Sequence, residues 1–156
     1  MDQDYRTFTV KDQPSNGNHK VSVMLVDDDP FFLQIAKIFL ESYFGNEIDV
    51  IGTANCGEDC LTQIQILAPE VILMDLDMPG LGGLGTIPLV HILFPETRVV
   101  ALSLKDDESY RGLVSAAGGD ALVSKATIRN DLVPAIRQAV EKRELEFDFA
   151  SSECLA

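Results

Sequence analysis

The chain contains 156 residues, and its 25 acidic against 12 basic side chains give a formal net charge of −13. A hydrophobic fraction of 46% beside 24% charged residues is typical of one folded domain and excludes a disordered chain. The negative charge disfavours direct binding to nucleic acid or to an anionic membrane, because like charges repel. No apolar run reaches about 18 residues and no basic, apolar leader is recognisable, so we expect neither a membrane span nor a secretory signal.

Three cysteines, Cys56, Cys60 and Cys154, are too few and too odd in number for a disulfide scaffold. Cys56 and Cys60 are close in sequence, but no histidine or third cysteine lies near them to complete a zinc site. We therefore expect reduced thiols and a cytoplasmic protein.

From residue 21 onwards, short apolar runs alternate with stretches of helical periodicity. The predicted strands are Val21–Val26, Ile48–Thr53, Val71–Met74, Arg98–Leu102 and Ala121–Val123. The predicted helices are a first one that starts near Pro30 and stops before Gly45, then Gly57–Leu67, Gly83–Leu93, Asp107–Ala117 and Ile128–Lys142. Asp29, directly before Pro30, is expected to cap the first helix. Residues 1–20 are expected to form a flexible N-terminal tail, and residues 143–156 an acidic C-terminal tail.

The predicted strands are almost continuously apolar, which is typical of strands that are buried on both faces of a parallel sheet. Five strand–helix units with right-handed connections predict an α/β fold, doubly wound, with helices on both faces of the sheet. The short repeat favours a flavodoxin-like (βα)5 domain with strand order 2-1-3-4-5 over a longer dinucleotide-binding domain.

Polar side chains with useful chemistry follow the carboxyl ends of the strands, where such sheets bind ligands. Asp27 and Asp28 follow the first strand, Asp75 the third, Ser103 the fourth and Lys125 the fifth. Three carboxylates at one edge repel one another unless a cation is present, and an all-oxygen site suits Mg²⁺. Together with an ammonium and a hydroxyl, these groups predict an aspartate that accepts a phosphoryl group.

Four segments together resemble the response-regulator receiver domain of two-component signalling. They are Leu25–Pro30, Val71–Gly80, Leu102–Ser103 and Val123–Lys125. The resemblance covers about residues 21–142, and its details are most similar to receivers of helix-turn-helix (LuxR/NarL-type) regulators. It implies that Asp75 is the phosphoacceptor. It also implies that Mg²⁺ is held by Asp27, Asp28, Asp75 and the backbone carbonyl of Asp77.

The same resemblance implies that Ser103 is the switch hydroxyl and that Lys125 contacts the phosphoryl group. Two positions depart from the usual family pattern. Leu122 stands where an aromatic switch residue is common, so signalling through an aromatic swing is not expected. Leu104 follows the switch hydroxyl where a small residue is common, and we expect it to crowd the phosphoryl site.

The family implies a histidine kinase or histidine phosphotransfer protein as phosphoryl donor, followed by a change of conformation. A downstream protein partner is expected on the face of the fourth helix, fifth strand and fifth helix, and homodimerisation on phosphorylation is a further option. Direct nucleic-acid binding is not expected from scattered basic residues. The few residues after Lys142 leave both a stand-alone receiver and a piece of a longer regulator open.

Two other functions stay open. A hydrolase similar to the haloacid dehalogenase phosphatases would use Asp75-Leu76-Asp77 as its Asp-x-Asp motif, although those enzymes carry it after the first strand. An adaptor that is never phosphorylated would use the fold for protein contacts alone, although a full set of site residues argues against it. The run Gly80–Gly85 spells GxGxxG, but it follows the third strand, so helix entry explains it better than dinucleotide binding.

Overall fold

The computed structural model describes residues 19–105 and 108–153. Its strands are β1 (Val21–Val26), β2 (Ile48–Ala54), β3 (Val71–Asp75), β4 (Arg98–Ser103) and β5 (Ala121–Ser124). Its helices are α1 (Pro30–Phe44), α2 (Gly57–Leu67), α3 (Gly82–Leu93), α4 (Glu108–Ala117) and α5 (Ile128–Glu153), with one 3₁₀ turn at Lys125–Thr127. The predicted alternation of strands and helices is confirmed, while residues 1–18 of the expected N-terminal tail, Asp107 and Cys154 lie outside the described residues.

The five strands form one parallel sheet in the order β2-β1-β3-β4-β5, as predicted. β1 and β3 are central, and Val23 of β1 is in register with Val50 of β2 on one side and Val71 of β3 on the other. The carboxyl ends of β1, β3, β4 and β5 therefore lie along one edge of the sheet. The polar residues that the sequence places at the ends of these strands lie at this edge.

Helices cover both faces of the sheet, and each face has its own apolar core. Along β1, Val23 and Leu25 belong to the core under α1 and α5, whereas Met24 and Val26 belong to the core under α2, α3 and α4. Successive strand side chains point to opposite faces, so a strand with a core on each side must be apolar throughout. This arrangement explains the continuous apolar runs that predicted the fold.

The fifth helix is longer than the sequence predicts. We expected an end near Lys142 and an acidic tail over residues 143–156, but α5 continues to Glu153. Two ion pairs join the additional turns to the amino-terminal edge of the sheet, Arg143 to Glu70 at 3.5 Å and Arg98 to Glu146. The polar composition of residues 143–156 is typical of a tail. The ion-pair partners Glu70 and Arg98 are distant in sequence, so the local sequence does not reveal that the helix continues. Within the described residues, no helix combines the length and the apolar character needed to cross a membrane.

Candidate functional site

Three carboxylates meet at the carboxyl edge of the sheet. Asp27 follows β1 and Asp75 ends β3, and only 1% and 2% of their respective surfaces are exposed, whereas Asp28 is exposed. One oxygen from each of the three carboxylates can be chosen so that all lie within 4.8 Å of one another. The cluster is therefore partly buried and open to solvent on the Asp28 side.

The loop after β1 is fixed by the start of α1. Asp29 accepts a hydrogen bond from the Phe31 backbone N–H at 3.0 Å, and Pro30 takes the first helical position. The prediction that Asp29 caps this helix is confirmed. The Asp29 backbone N–H in turn donates to Asp27 Oδ1 at 2.9 Å. This bond orients the buried Asp27 carboxylate, whereas Asp28 and Asp29 are both exposed to solvent.

Lys125 supplies the positive charge of the cluster. Its Nζ donates to Asp27 Oδ2 at 2.8 Å and lies 3.2 Å from Asp75 Oδ1, and its side chain is 14% exposed. Burial alone would lower the pKa of Lys125, but the two carboxylates outweigh it, so the net shift is upward. The lysine stays charged at neutral pH and balances part of the negative charge.

The pKa of the Asp75 carboxyl is raised above its ordinary value. Burial is the main cause, and the nearby Asp27 charge acts in the same direction. The Asp77 backbone N–H, which donates to Asp75 Oδ1 at 3.2 Å, and the Lys125 ammonium oppose this shift without cancelling it. The ionised Asp75 is therefore under-compensated, which is the condition under which an added cation binds favourably.

Ser103 is fully buried at the end of β4, on the far side of Asp75 from β1. Its hydroxyl oxygen accepts a hydrogen bond from the Lys105 backbone N–H at 3.0 Å. The same hydroxyl makes a long contact of 3.4 Å to Asp77 Oδ2. The structure thus places the Asp77 side chain beside Ser103, while its backbone N–H faces Asp75.

The two positions that depart from the family pattern lie in different environments. Leu122 is 7% exposed and packs in the core under α2, α3 and α4. Leu104 is 73% exposed, so most of its side chain faces solvent and does not fill the site as expected.

Backbone geometry requires glycine at several positions of the run after β3. Gly80 and Gly82 have φ values of 75° and 69°, a region that disfavours other residues. A Cβ atom on Gly83 would lie 2.2 Å from the carbonyl oxygen of Asp75, so only glycine lets α3 begin against the end of β3. At Gly85, the last glycine of the pattern, a Cβ atom would lie 2.9 Å from Leu81 Cδ1. These constraints account for the glycines of the run without a nucleotide.

One residue beside the site was not singled out from the sequence. The ring of Phe32, in the first turn of α1, lies with its centroid 4.3 Å from Lys125 Nζ. Its sequence position indicates only an apolar helix residue, because the contact joins two segments that are far apart in the chain. Its sequence position does not distinguish it from a core phenylalanine.

The model of the family described as "response regulator receiver domain" matches residues 23–137. The chain is 32% identical over 118 residues to the response regulator GacA of Pseudomonas aeruginosa, covering 76% of this chain and 54% of that protein. It is 30% identical over 137 residues to the response regulator UvrY of Escherichia coli, covering 87% of this chain and 62% of that protein. The chain thus spans between half and two thirds of the length of these relatives.

Among solved structures, the response regulator domain of Thermotoga maritima CheB superimposes with a TM-score of 0.71 at 25% identity, covering 79% of this chain and 98% of that domain. The chain belongs to the response-regulator receiver family, the receiving part of two-component signalling systems. This membership confirms the resemblance, and it does not favour the phosphatase or the adaptor interpretation.

Proposed function

We propose that this chain accepts a phosphoryl group on Asp75 from a histidine kinase or histidine phosphotransfer protein, and that it then changes conformation to regulate a protein partner. The observation that carries the proposal is the contact of a buried, under-compensated carboxylate with Lys125, beside Asp27 and Asp28. In this reaction an Asp75 oxygen attacks phosphorus, a P–O bond forms, and the P–N bond of the phosphohistidine breaks. The imidazole leaves with the bonding electron pair.

The donor set fits Mg²⁺. It offers carboxylate oxygens, and no histidine or cysteine belongs to the cluster found among the described residues. Asp27, Asp28, Asp75 and the Asp77 carbonyl would hold the ion, with Asp28 on the open side. When bound, the ion supplies charge neutralisation for the transferring phosphoryl oxygens.

This chain's own residues do the remaining work. Lys125 neutralises a phosphoryl oxygen without donating its proton, and Asp27 keeps the ammonium within reach of Asp75. Ser103 offers a hydroxyl that can rotate towards a phosphoryl oxygen and leave Asp77. The chain would thus catalyse only its own phosphorylation and dephosphorylation, and it would not turn over an external substrate.

The switch would reach a partner through α4, β5 and α5. Ser103 of β4 is paired in register with Ser124 of β5, directly before Lys125, so movement at either group is transmitted to the edge strand. Unpaired Cys56 and Cys60 suit a reducing, cytoplasmic compartment. The net charge of −13 opposes direct DNA binding by these 156 residues.

The test is phosphorylation by acetyl phosphate or phosphoramidate with Mg²⁺, followed by intact-mass measurement. We expect wild type and the control Asp49→Asn, at an exposed β2 position, to gain one acid-labile phosphoryl group. Asp75→Asn should gain none. A gain of equal size in Asp75→Asn would place the acceptor elsewhere, and p-nitrophenyl phosphate turnover would favour a phosphatase.

A further inference from the structure

An aromatic ring lies against the ammonium of Lys125. The Phe32 ring centroid is 4.3 Å from Nζ, within the range of a cation–π interaction. Phe32 is partly buried and packs on the core under α1 and α5, and its helix starts at Pro30 with the Asp29 cap. The ring is therefore held by its own helix and core, independently of the lysine.

The ring is a third neighbour of the ammonium, beside two carboxylates. Asp27 Oδ2 and Asp75 Oδ1 approach Nζ from the ends of β1 and β3, at 2.8 and 3.2 Å, and Phe32 approaches from α1. The lysine stem is long and has many rotamers when nothing constrains it. A neutral ring attracts the cation without exchanging a proton and without fixing a hydrogen-bond direction. It can thus hold the ammonium while a hydrogen bond moves from one oxygen to another.

We propose that Phe32 is a positioning residue that keeps the Lys125 ammonium next to Asp75, in the place from which it meets the incoming phosphoryl group. This inference rests on the proposed function of Asp75 and adds a residue to it. The interaction that links Phe32 to the site is its ring contact with Lys125, so we expect its effect on phosphorylation to pass through Lys125. Its loss leaves the lysine charged but less often in place.

Three variants separate this role from core packing. Phe32→Leu removes the ring but keeps an apolar side chain on the core, and Phe32→Tyr keeps the ring. Phe39→Leu is the matched control, because Phe39 is a partly buried phenylalanine of the same helix and core whose ring contacts are with Tyr43 and Phe44. Each is compared with wild type and with the Lys125→Gln background.

The first readout is the initial rate of phosphorylation by phosphoramidate at saturating Mg²⁺. We expect Phe32→Leu to slow the rate about three- to tenfold, the range that a partly desolvated cation–π contact corresponds to. Phe32→Tyr should restore most of the rate, and Phe39→Leu should leave it unchanged. In the Lys125→Gln background, Phe32→Leu should cause no further loss. An equal loss in that background would show that Phe32 acts through the fold, and the proposal would be wrong.

The second readout needs no phosphorylation. The Lys125 ε-methylene resonances should be shifted upfield by the ring in wild type and in Phe32→Tyr, and should move towards ordinary lysine values in Phe32→Leu. Resonances that do not change would overturn the proposal even if the rate falls.

The failure of the proposed function and the failure of the role of Phe32 give different results. A wild-type protein that is never phosphorylated defeats the proposed function and with it this role. A wild type that is phosphorylated as fast as a folded Phe32→Leu defeats only the role of Phe32.

Discussion

Asp27 Oδ2 and Lys125 Nζ lie 2.8 Å apart although 98 positions separate them in the chain. Asp27 follows a central strand, and Lys125 follows the edge strand β5, with β3 and β4 between the two. The lysine side chain therefore reaches back across the edge of the sheet, and its ammonium lies beside Asp75 on the way. This one ion pair connects the acidic loop after β1 with the strand that borders the proposed output face.

Replacing the acceptor should stabilise the metal-free protein. Because the pKa of Asp75 is raised in the folded state, mainly by burial, its ionised form costs folding free energy. We expect Asp75→Asn to have a higher free energy of unfolding in urea at neutral pH without Mg²⁺. The wild-type penalty develops as the pH rises from the ordinary aspartate pKa through the raised one, so the advantage should disappear in acid. An advantage that does not depend on pH would contradict this assignment.

The exposed and buried members of the acidic pair should behave differently. Asp28→Asn should weaken Mg²⁺ binding by about tenfold or more with little change in stability, because Asp28 is exposed and would lose only its role as a ligand. Asp27→Asn should weaken binding and also lower the free energy of unfolding, since Lys125 loses its closest partner. Calorimetric titration measures the Mg²⁺ affinity of both variants, and urea unfolding measures their stability, with the exposed Asp148→Asn as control. Unchanged affinity in both variants would exclude this metal site.

Removing the Ser103 hydroxyl should separate phosphorylation from switching. In Ser103→Ala, Asp75, Asp27 and Lys125 all remain, so the variant should still be phosphorylated. The hydroxyl that would follow the phosphoryl group is lost, so chemical-shift changes in α4 and β5 on beryllofluoride addition should be much smaller than in wild type. Ser109→Ala, at an exposed position of α4, is the control. Changes of wild-type size in Ser103→Ala would refute the switch role.

Leu122 should matter for packing more than for signalling. Its side chain is nearly buried in the core under α2, α3 and α4. Truncation in Leu122→Ala leaves a cavity, for which we expect a loss of about 2–4 kcal/mol in the free energy of unfolding. The beryllofluoride response should survive if the folded variant is studied well below its melting temperature. If the folded Leu122→Ala variant loses the beryllofluoride response, Leu122 itself acts as the switch residue in place of the usual aromatic side chain.

Glu70, at the opposite edge of the sheet, should make the stability of the protein depend on pH in the acid range. Burial alone would raise the pKa of Glu70, but hydrogen bonds from the Ser22 backbone N–H, at 2.8 Å, and from His19 outweigh it, so the net shift is downward. A lowered carboxyl pKa stabilises the fold above the ordinary glutamate value, and this stabilisation is lost as the pH falls through the lowered value. Glu70→Gln should therefore be less stable than wild type at neutral pH and approach it in acid. The free energy of unfolding of both proteins is measured in urea over this pH range. A difference between them that is the same at all pH values would contradict the prediction.

The sequence predicted the strands well, because a strand between two cores must be apolar at every position, as β1 and β3 are. It also indicated that Asp27, Asp28, Asp75 and Lys125 lie at one edge, since parallel strands place their carboxyl ends there, and the structure brings these four together. Ser103 lies at the same edge, where its contacts are with Asp77 and Lys105. The end of α5 was predicted wrongly. The extra turns form ion pairs with Glu70 and Arg98, and no local sequence pattern connects these residues to Arg143 and Glu146. The Phe32 contact was missed for the same reason.

The start of α3 limits which substitutions this chain can accept. Gly83 lies so close to the backbone of Asp75 that even the methyl group of alanine would overlap its carbonyl oxygen, at 2.2 Å. The neighbouring Gly80 is constrained by its dihedral angle alone, with open space around it. A saturation library over residues 80–83 should therefore recover asparagine or aspartate at position 80 at times, since these tolerate positive φ, but glycine alone at position 83. The absence of a Cβ atom at Gly83 therefore limits how far the sequence beside Asp75 can diverge during evolution.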